Sequence, residues 1–135
     1  MTEQKAFTGW AYIAQADDVP NCWVAHCLDF NILSIGDSPN HALEMVREAV
    51  GIALADDLNN GRDPHARKAE AEDWAPLLRL FEKHTKVPIG QMNDQAAAFK
   101  EFAAPMTLVF TRQLPDGLTP NVQLDPHGGD TLLAA

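Results

Sequence analysis

The chain has 135 residues, the usual length of one domain, and 46% of them are hydrophobic, as in a globular protein. Nineteen Asp and Glu residues against ten Lys and Arg residues give a net charge of −9. This balance argues against a protein that binds nucleic acid by itself, because such a protein needs cations to neutralise phosphates. It fits a basic protein partner or simply high solubility.

The start of the chain and its cysteines indicate a soluble, cytoplasmic protein. The polar residues 1–5 do not resemble a signal peptide, and no segment approaches the roughly 20 apolar residues of a membrane span. Cys22 and Cys27 lie an odd number of residues apart in one predicted strand, so their side chains are expected on opposite faces. A disulfide between them would need a broken strand, and a reducing compartment is the natural setting.

Three short strands are predicted at the start of the chain. Phe7–Gln15 is rich in β-forming residues, and the Asp, Pro and Asn residues within 16–21 predict a turn after it. Cys22–Leu28 is the second strand and Ile32–Ile35 the third. The residues expected on one face of the second strand are Trp23, Ala25 and Cys27.

A long amphipathic helix is the clearest local prediction. Gly36 ends the third strand, Ser38 is a good N-cap, and Pro39 suits the first helical position. The helix is expected to run to about Asp57 or Asn59. Its apolar stripe consists of Ala42, Leu43, Val46, Ala49, Val50, Ala53 and Leu54.

Two shorter helices and a fourth strand are predicted in the second half. Trp74–His84 has the apolar spacing of a helix, and Asp94 caps a third helix over Gln95–Phe102, which Pro105 halts. Met106–Leu114 alternates in the manner of a strand. These elements predict an α+β fold in which a small antiparallel sheet packs against one main helix.

The predicted boundaries follow from the same elements. Residues 1–114 form one domain with an insertion at about 60–104, which carries the two short helices. Residues 115–135 contain three Pro and three Gly without any period, so they are expected to form an extended or disordered tail.

The segment 22–49 resembles the HicB antitoxin-like family. That family has an aromatic-Val-Ala strand, an acidic corner, a Gly-Asp-Ser or Gly-Asp-Thr turn, and a helix that begins near an Ala-Leu pair. The matching residues here are Trp23-Val24-Ala25, Leu28-Asp29-Phe30, Gly36-Asp37-Ser38 and Ala42-Leu43. The resemblance covers roughly Trp10 to Leu58.

This resemblance implies a β-β-β-α-β unit with a partial ribonuclease H-like fold that lacks catalytic carboxylates. It also implies a dimer or higher oligomer, and a partner that is a small basic ribonuclease toxin. Many relatives carry a C-terminal DNA-binding segment. Here the chain after Leu114 has no helical pattern and no Lys or Arg, so no such segment is assigned.

Aromatic residues of the first two strands are the candidate partner-binding residues. Trp10, Tyr12 and Trp23 could pair across the first hairpin as core or interface aromatics. They would form an exposed apolar patch if the main helix leaves one sheet face uncovered.

Three patterns are compatible with chemistry. Cys22 and His26 could hold a metal, although zinc usually takes three or four ligands. Cys27 could be activated by His26 or His41, but a buried Cys and a strand His are the ordinary interpretation. An acidic series could bind Mg²⁺, although turns and helix caps commonly hold such residues. Its members are Asp17, Asp18, Asp29 and Asp37.

The sequence therefore predicts a non-catalytic binding protein of the HicB antitoxin-like type, without a cofactor, which neutralises a small basic toxin. A homodimer is expected, because a small sheet with one covered face leaves edges and a second face exposed. One alternative is a metal-dependent nuclease or hydrolase that uses Asp17, Asp29 or Asp37. Another is an orphan HicB-like protein without a toxin.

Overall fold

The computed structural model describes residues 2–113, 121–124 and 131–135. Its strands are β1 (Thr2–Gln15), β2 (Trp23–Cys27), β3 (Ile32–Gly36), β4 (Thr85–Pro88), β5 (Glu101–Gln113), β6 (Asn121–Leu124) and β7 (Thr131–Ala134). Its α-helices are α1 (Pro39–Asn59) and α2 (Ala71–Glu82). The strands form one antiparallel sheet in the order β3-β2-β1-β5-β7-β4, and β6 pairs with β5 beside this row. The predicted α+β class is confirmed, with more strands than the four that were expected.

The first three strands form an antiparallel meander whose faces follow the predicted alternation. In β2, Trp23, Ala25 and Cys27 are buried, whereas Val24 and His26 are half-buried. The pairing register sets Gln15 opposite Trp23, and Trp23 opposite Gly36. Gln15, Trp23 and Gly36 therefore lie at one end of the meander.

Helix α1 begins as the sequence predicts. The hydroxyl of Ser38 accepts a hydrogen bond from the backbone N–H of His41 at 3.2 Å, and Pro39 is the first helical residue. The apolar side of α1 covers one face of the sheet. Its fully or nearly fully buried core residues are Ala42, Leu43, Val46, Val50 and Leu54.

Helix α2 covers part of the opposite face. Leu77 and Leu80 are buried there against Leu28 and Ala103. The helix starts three residues before the predicted Trp74. The sheet thus has one helix on each face, and α2 is the shorter of the two.

The predicted third helix over Gln95–Phe102 is wrong. Residues 92–98 form turns, and β5 begins at Glu101, so Pro105 lies inside a strand. The backbone C=O and N–H of Trp10 bond to Leu28 and Asp29, on the side of β1 that faces β2. Trp10 lies opposite Pro105 in the β1–β5 pair, and these two residues therefore form a non-hydrogen-bonded pair. The nitrogen of Pro105 points away from β1. On the side of β5 that faces away from β1, β7 pairs with residues 102–103 and β6 pairs with residues 108–111. Pro105 lies between these two segments, so its missing N–H costs no hydrogen bond to a described strand.

Part of the predicted tail belongs to the sheet. Residues 121–124 pair with β5, and residues 131–134 pair with both β4 and β5. Leu132 and Ala134 are fully buried in the core. The remainder of the predicted tail and the predicted strand end at Leu114 lie outside the described residues. In the described part of the chain, no helix has both the length and the hydropathy for a membrane span.

Candidate functional site

The sheet face beneath α2 is only partly covered by that helix. Beyond it, two cross-strand rows remain accessible to solvent, and we call them the open face. One row is Glu101, Ala14, Val24 and Ile35, and the next is Tyr12, His26 and Leu33. All of these residues are half-buried or exposed. The open face therefore runs from β5 to the outer edge of β3.

A groove of about 690 Å³ lies at the β5 end of the open face, and we call it the acidic groove. Its lining residues are Tyr12, Ala14, Gln15, Ala16, Asp17, Asp18, Val19, Pro20, Lys100 and Glu101. Three of them are carboxylates and one is a lysine. The groove can therefore receive a cationic group, because its fixed charges are predominantly negative.

Tyr12 and Glu101 are joined by a hydrogen bond in the lining of this groove. The Tyr12 hydroxyl donates this hydrogen bond to the Glu101 carboxylate. Burial, and then the hydrogen bond and charge of Glu101, raise the pKa of Tyr12 well above its ordinary value of 10.0. The phenol therefore stays protonated at pH values where a free tyrosine ionises, and its hydroxyl holds the Glu101 carboxylate in place.

The predicted acidic series is divided between two ends of the sheet. Asp17 and Asp18 follow β1, and Asp37 follows β3, at the end marked by Gln15, Trp23 and Gly36. Asp29 follows the other end of β2.

Asp29 has a local structural role at that other end. Its Oδ1 accepts the Trp10 backbone N–H at 2.8 Å. The same oxygen would lie 3.0 Å from a Cβ at Gly9, so the absence of a side chain at Gly9 permits this approach. Asp17, Asp29 and Asp37, the residues of the hydrolase hypothesis, do not converge. No group of three potential metal ligands occurs among the described residues.

The cysteine and histidine candidates lie in settings that favour structure over nucleophilic chemistry. Cys27 is fully buried, and burial raises the pKa of its thiol to about 12, so the thiol is protonated at neutral pH. His26 points to the opposite face, where its Nε2 lies 2.8 Å from Asn31 Oδ1. His41 instead lies 3.1 Å from the exposed carboxylate of Asp37. Both cysteines are free.

The structure separates Trp23 from the other two aromatic candidates, Trp10 and Tyr12, which pack against one cluster on the opposite sheet face. Trp23 packs on the α1 side against Phe102, with ring centroids 6.1 Å apart, and is only 7% exposed. Trp10 lies on the other face, where its ring centroid is 4.8 Å from that of Phe81 in α2. Of the three, only Tyr12 lines the acidic groove.

Sequence reasoning missed the two residues of the open face that are exposed and not half-buried. Leu33 and Ile35 are 58% and 61% exposed, respectively, on β3. The sequence signal for these two residues was the polar Ser34 between them, because a polar residue between two apolar residues indicates that the strand has two different faces. It does not tell which face is buried. Glu101 was missed because it was assigned to a helix.

Comparisons of the chain with protein-family models, with curated proteins and with solved structures found no match. The HicB-like resemblance therefore depends on the sequence pattern of residues 22–49 alone.

Proposed function

We propose that this chain is a non-catalytic, cytoplasmic protein-binding module of the HicB antitoxin-like type. Its acidic groove would receive a cationic segment of a small basic partner, and the partner implied by the resemblance is a toxin. The observation that carries this proposal is the groove lined by Asp17, Asp18 and Glu101 on a sheet face that α2 leaves open.

The charge distribution supports a basic partner in two ways. At long range, the net charge of −9 attracts a cationic protein and accelerates encounter. At short range, carboxylates bind guanidinium groups through paired hydrogen bonds. The Tyr12–Glu101 hydrogen bond favours such a contact, because it keeps the acceptor in place before binding.

The geometry also favours a polypeptide over a small ligand. The groove is continuous along the open face with Val24 and Ile35, which offer apolar contact beside the carboxylates. A partner that combines cationic and apolar side chains would use both parts. Such a mixture of an apolar centre and a charged rim is typical of protein interfaces.

The test uses the product of the reading frame next to the one that encodes this chain, when that product is a short basic protein. We expect the two purified proteins to form a complex in isothermal titration calorimetry. The double substitution Asp17→Asn and Asp18→Asn should weaken binding at least about tenfold, because it removes two charges at the groove. It should also reduce the dependence of affinity on salt concentration.

The matched control removes the same charge from another surface. Glu72→Gln with Asp73→Asn alters two exposed residues in the first turn of α2 and should change the affinity little. The absence of a basic neighbour, or a basic neighbour that does not bind, contradicts the toxin proposal. Equal weakening by both double variants contradicts the groove as the binding site.

Self-association is part of the same proposal. β3 and β4 lie at the two ends of the sheet row, so each has only one described strand beside it. An open strand edge carries unpaired backbone donors and acceptors, and pairing with another chain satisfies them. We propose a homodimer or a higher homo-oligomer.

A further inference from the structure

At the outer edge of β3, two residues have backbone groups with no hydrogen-bond partner among the described residues. The bonds Ala16 N to Cys22 O and Leu28 N to Trp10 O show that even-numbered residues of β1 and β2 bond to each other. Backbone groups alternate in direction along a strand, so odd-numbered residues of β2 bond to even-numbered residues of β3. The N–H and C=O groups of Leu33 and Ile35 therefore point away from β2.

The same two residues also expose their side chains. Leu33 is 58% and Ile35 61% exposed, and the sequence of β3, Ile-Leu-Ser-Ile-Gly, contains no ionisable residue. The opposite end of the sheet is different, because β4 carries an exposed Lys86 and ends with Pro88. Lys and Pro are residues that protect a strand edge against pairing. β3 lacks both.

We propose that a second copy of this chain pairs antiparallel with β3 across a two-fold axis. In this register Leu33 lies opposite the partner's Ile35, and Ser34 lies opposite the partner's Ser34. The inference depends on the proposed self-association and assigns the surface and the register to it. The axis stands perpendicular to the sheet, so the two sheets become one and both acidic grooves open on the same side.

Charge favours a second copy as the occupant. Two chains that each carry −9 repel each other over most of their surfaces, and a contact is least costly where neither has a charge. The edge of β3 meets this condition. The edge of β3 is also self-complementary, because each copy contributes the outward-pointing backbone groups and the apolar side chains of Leu33 and Ile35.

The contact area sets the expected strength. A five-residue edge buries less than the roughly 800 Å² per partner of a standard stable interface. We therefore expect a dissociable dimer, with a dissociation constant on the order of 10–100 µM. Sedimentation velocity from about 2 µM to about 500 µM covers this range.

The surface is tested by one substitution and a matched control. Leu33→Glu places two carboxylates near the two-fold axis and should raise the dissociation constant by at least about tenfold. Ile52→Glu makes the same change of charge at a side chain that is 66% exposed on α1, and it should leave the dimer unchanged. Circular dichroism checks that both variants remain folded.

The register is tested by a disulfide. Ser34 and the partner's Ser34 would form a non-hydrogen-bonded pair with Cα atoms about 4.5 Å apart, which a disulfide can span. Ser34→Cys in a Cys22→Ser background should give a covalent dimer under mild oxidation, while Ile52→Cys in that background should not. Cys27 is buried and stays in place in both.

The outcomes separate this inference from the proposals on which it depends. A protein that is monomeric at all concentrations overturns both self-association and this inference, but leaves binding of a basic partner untouched. A dimer that Leu33→Glu and Ile52→Glu affect equally overturns the β3 surface alone. A dimer that is sensitive to Leu33→Glu but gives no Ser34→Cys cross-link overturns the register.

Discussion

Asp57 shows how one buried charge organises the end of α1. Its side chain is 1% exposed, with one carboxylate oxygen 3.1 Å from Arg62 Nε and the other 2.7 Å from Arg67 Nη1. The hydrogen bond from Arg67 is the largest cause that lowers the pKa of Asp57 below its ordinary value of 3.8. Arg67 also donates to the backbone carbonyl of Phe30 at 3.4 Å, so the cluster joins the helix end to the corner after β2.

We expect Asp57→Asn to lower the free energy of unfolding by about 1.5 kcal/mol at neutral pH, because hydrogen bonds from charged donors are lost. The loss is limited because both arginines are partly exposed to solvent. A carboxyl whose pKa is lower in the folded state stabilises the fold at pH values above its unfolded-state pKa. This stabilisation is lost as the pH falls through the folded-state pKa. The difference between wild type and variant should therefore shrink below about pH 4. Urea unfolding at about pH 7 and about pH 3 measures it.

The control for this prediction is Asp56→Asn. Asp56 also pairs with Arg62, but its side chain is 65% exposed, and its loss should cost less than about 0.5 kcal/mol. A difference between wild type and Asp57→Asn that does not change with pH would contradict the role of the ionised carboxylate.

Tyr12 is the only tyrosine of the chain, so its ionisation can be followed without assignment. Because burial and Glu101 raise its pKa, absorbance titration of the native protein should show little phenolate at pH 10, where a free tyrosine is half ionised. In urea the pKa should return to about 10. The unfolded chain ionises first, so stability should fall as the pH rises above about 10.

Glu101→Gln separates the causes of this shift. The substitution removes the charge but leaves the burial, which is the largest cause, so the pKa of Tyr12 should fall only part of the way towards its ordinary value. A native protein in which Tyr12 is half ionised at pH 10 would contradict the burial of Tyr12 and its hydrogen bond to Glu101.

At the level of elements, the connection between β3 and α1 depends on a residue without a side chain. A Cβ at Gly36 would lie 2.4 Å from the backbone nitrogen of Ala42, in the first turns of the helix. Such a contact is too short for the backbone to accept, so the strand and helix would have to separate. The close packing of α1 on the sheet begins at this point.

Gly36→Ala should therefore lower the free energy of unfolding by about 2 kcal/mol or more, as measured by urea denaturation. Gly90→Ala is the matched control, because a Cβ there would meet nothing within 4 Å. Its effect should stay within about 0.5 kcal/mol. If both variants lose the same stability, the close approach of β3 and α1 is not the cause.

For the whole molecule, the C-terminal strand completes the sheet. β7 pairs with both β4 and β5 and so connects β4 to the rest of the row. Its residues Leu132 and Ala134 are fully buried in the main core. The backbone of Ala135 exchanges hydrogen bonds of 3.0 Å with Glu101, beside the acidic groove.

Leu132→Ala should cost about 3 kcal/mol of stability, because it leaves a cavity in the core. Leu78→Ala is the same chemical change at a side chain that is 53% exposed on α2, and it should cost less than about 0.5 kcal/mol. Thermal or urea unfolding of the two variants gives the comparison. Similar losses would mean that β7 contributes little to the core.

The elements predicted correctly are those with local signals. Ser38 and Pro39 mark the start of α1 through cap chemistry that involves only neighbouring residues. The alternation along β2 places Trp23, Ala25 and Cys27 on one face in the same way, and the structure shows that this face is the buried one. For the candidate site, the sequence predicted Tyr12 as a partner-binding residue and an acidic surface for a basic partner. It did not identify Glu101, Leu33 or Ile35.

The sequence by itself determined the meander, the long helix, the α+β class and the acidic charge, because turns, caps and periodicity act over a few residues. Only the tertiary structure decided that Pro105 lies within a strand, that 131–134 belongs to the sheet, and that Ala14 pairs with Glu101. These pairings join residues far apart in the chain, and a short strand carries no local sign of its partner. Which face remains open depends on where α2 packs, and that is a property of the assembled fold.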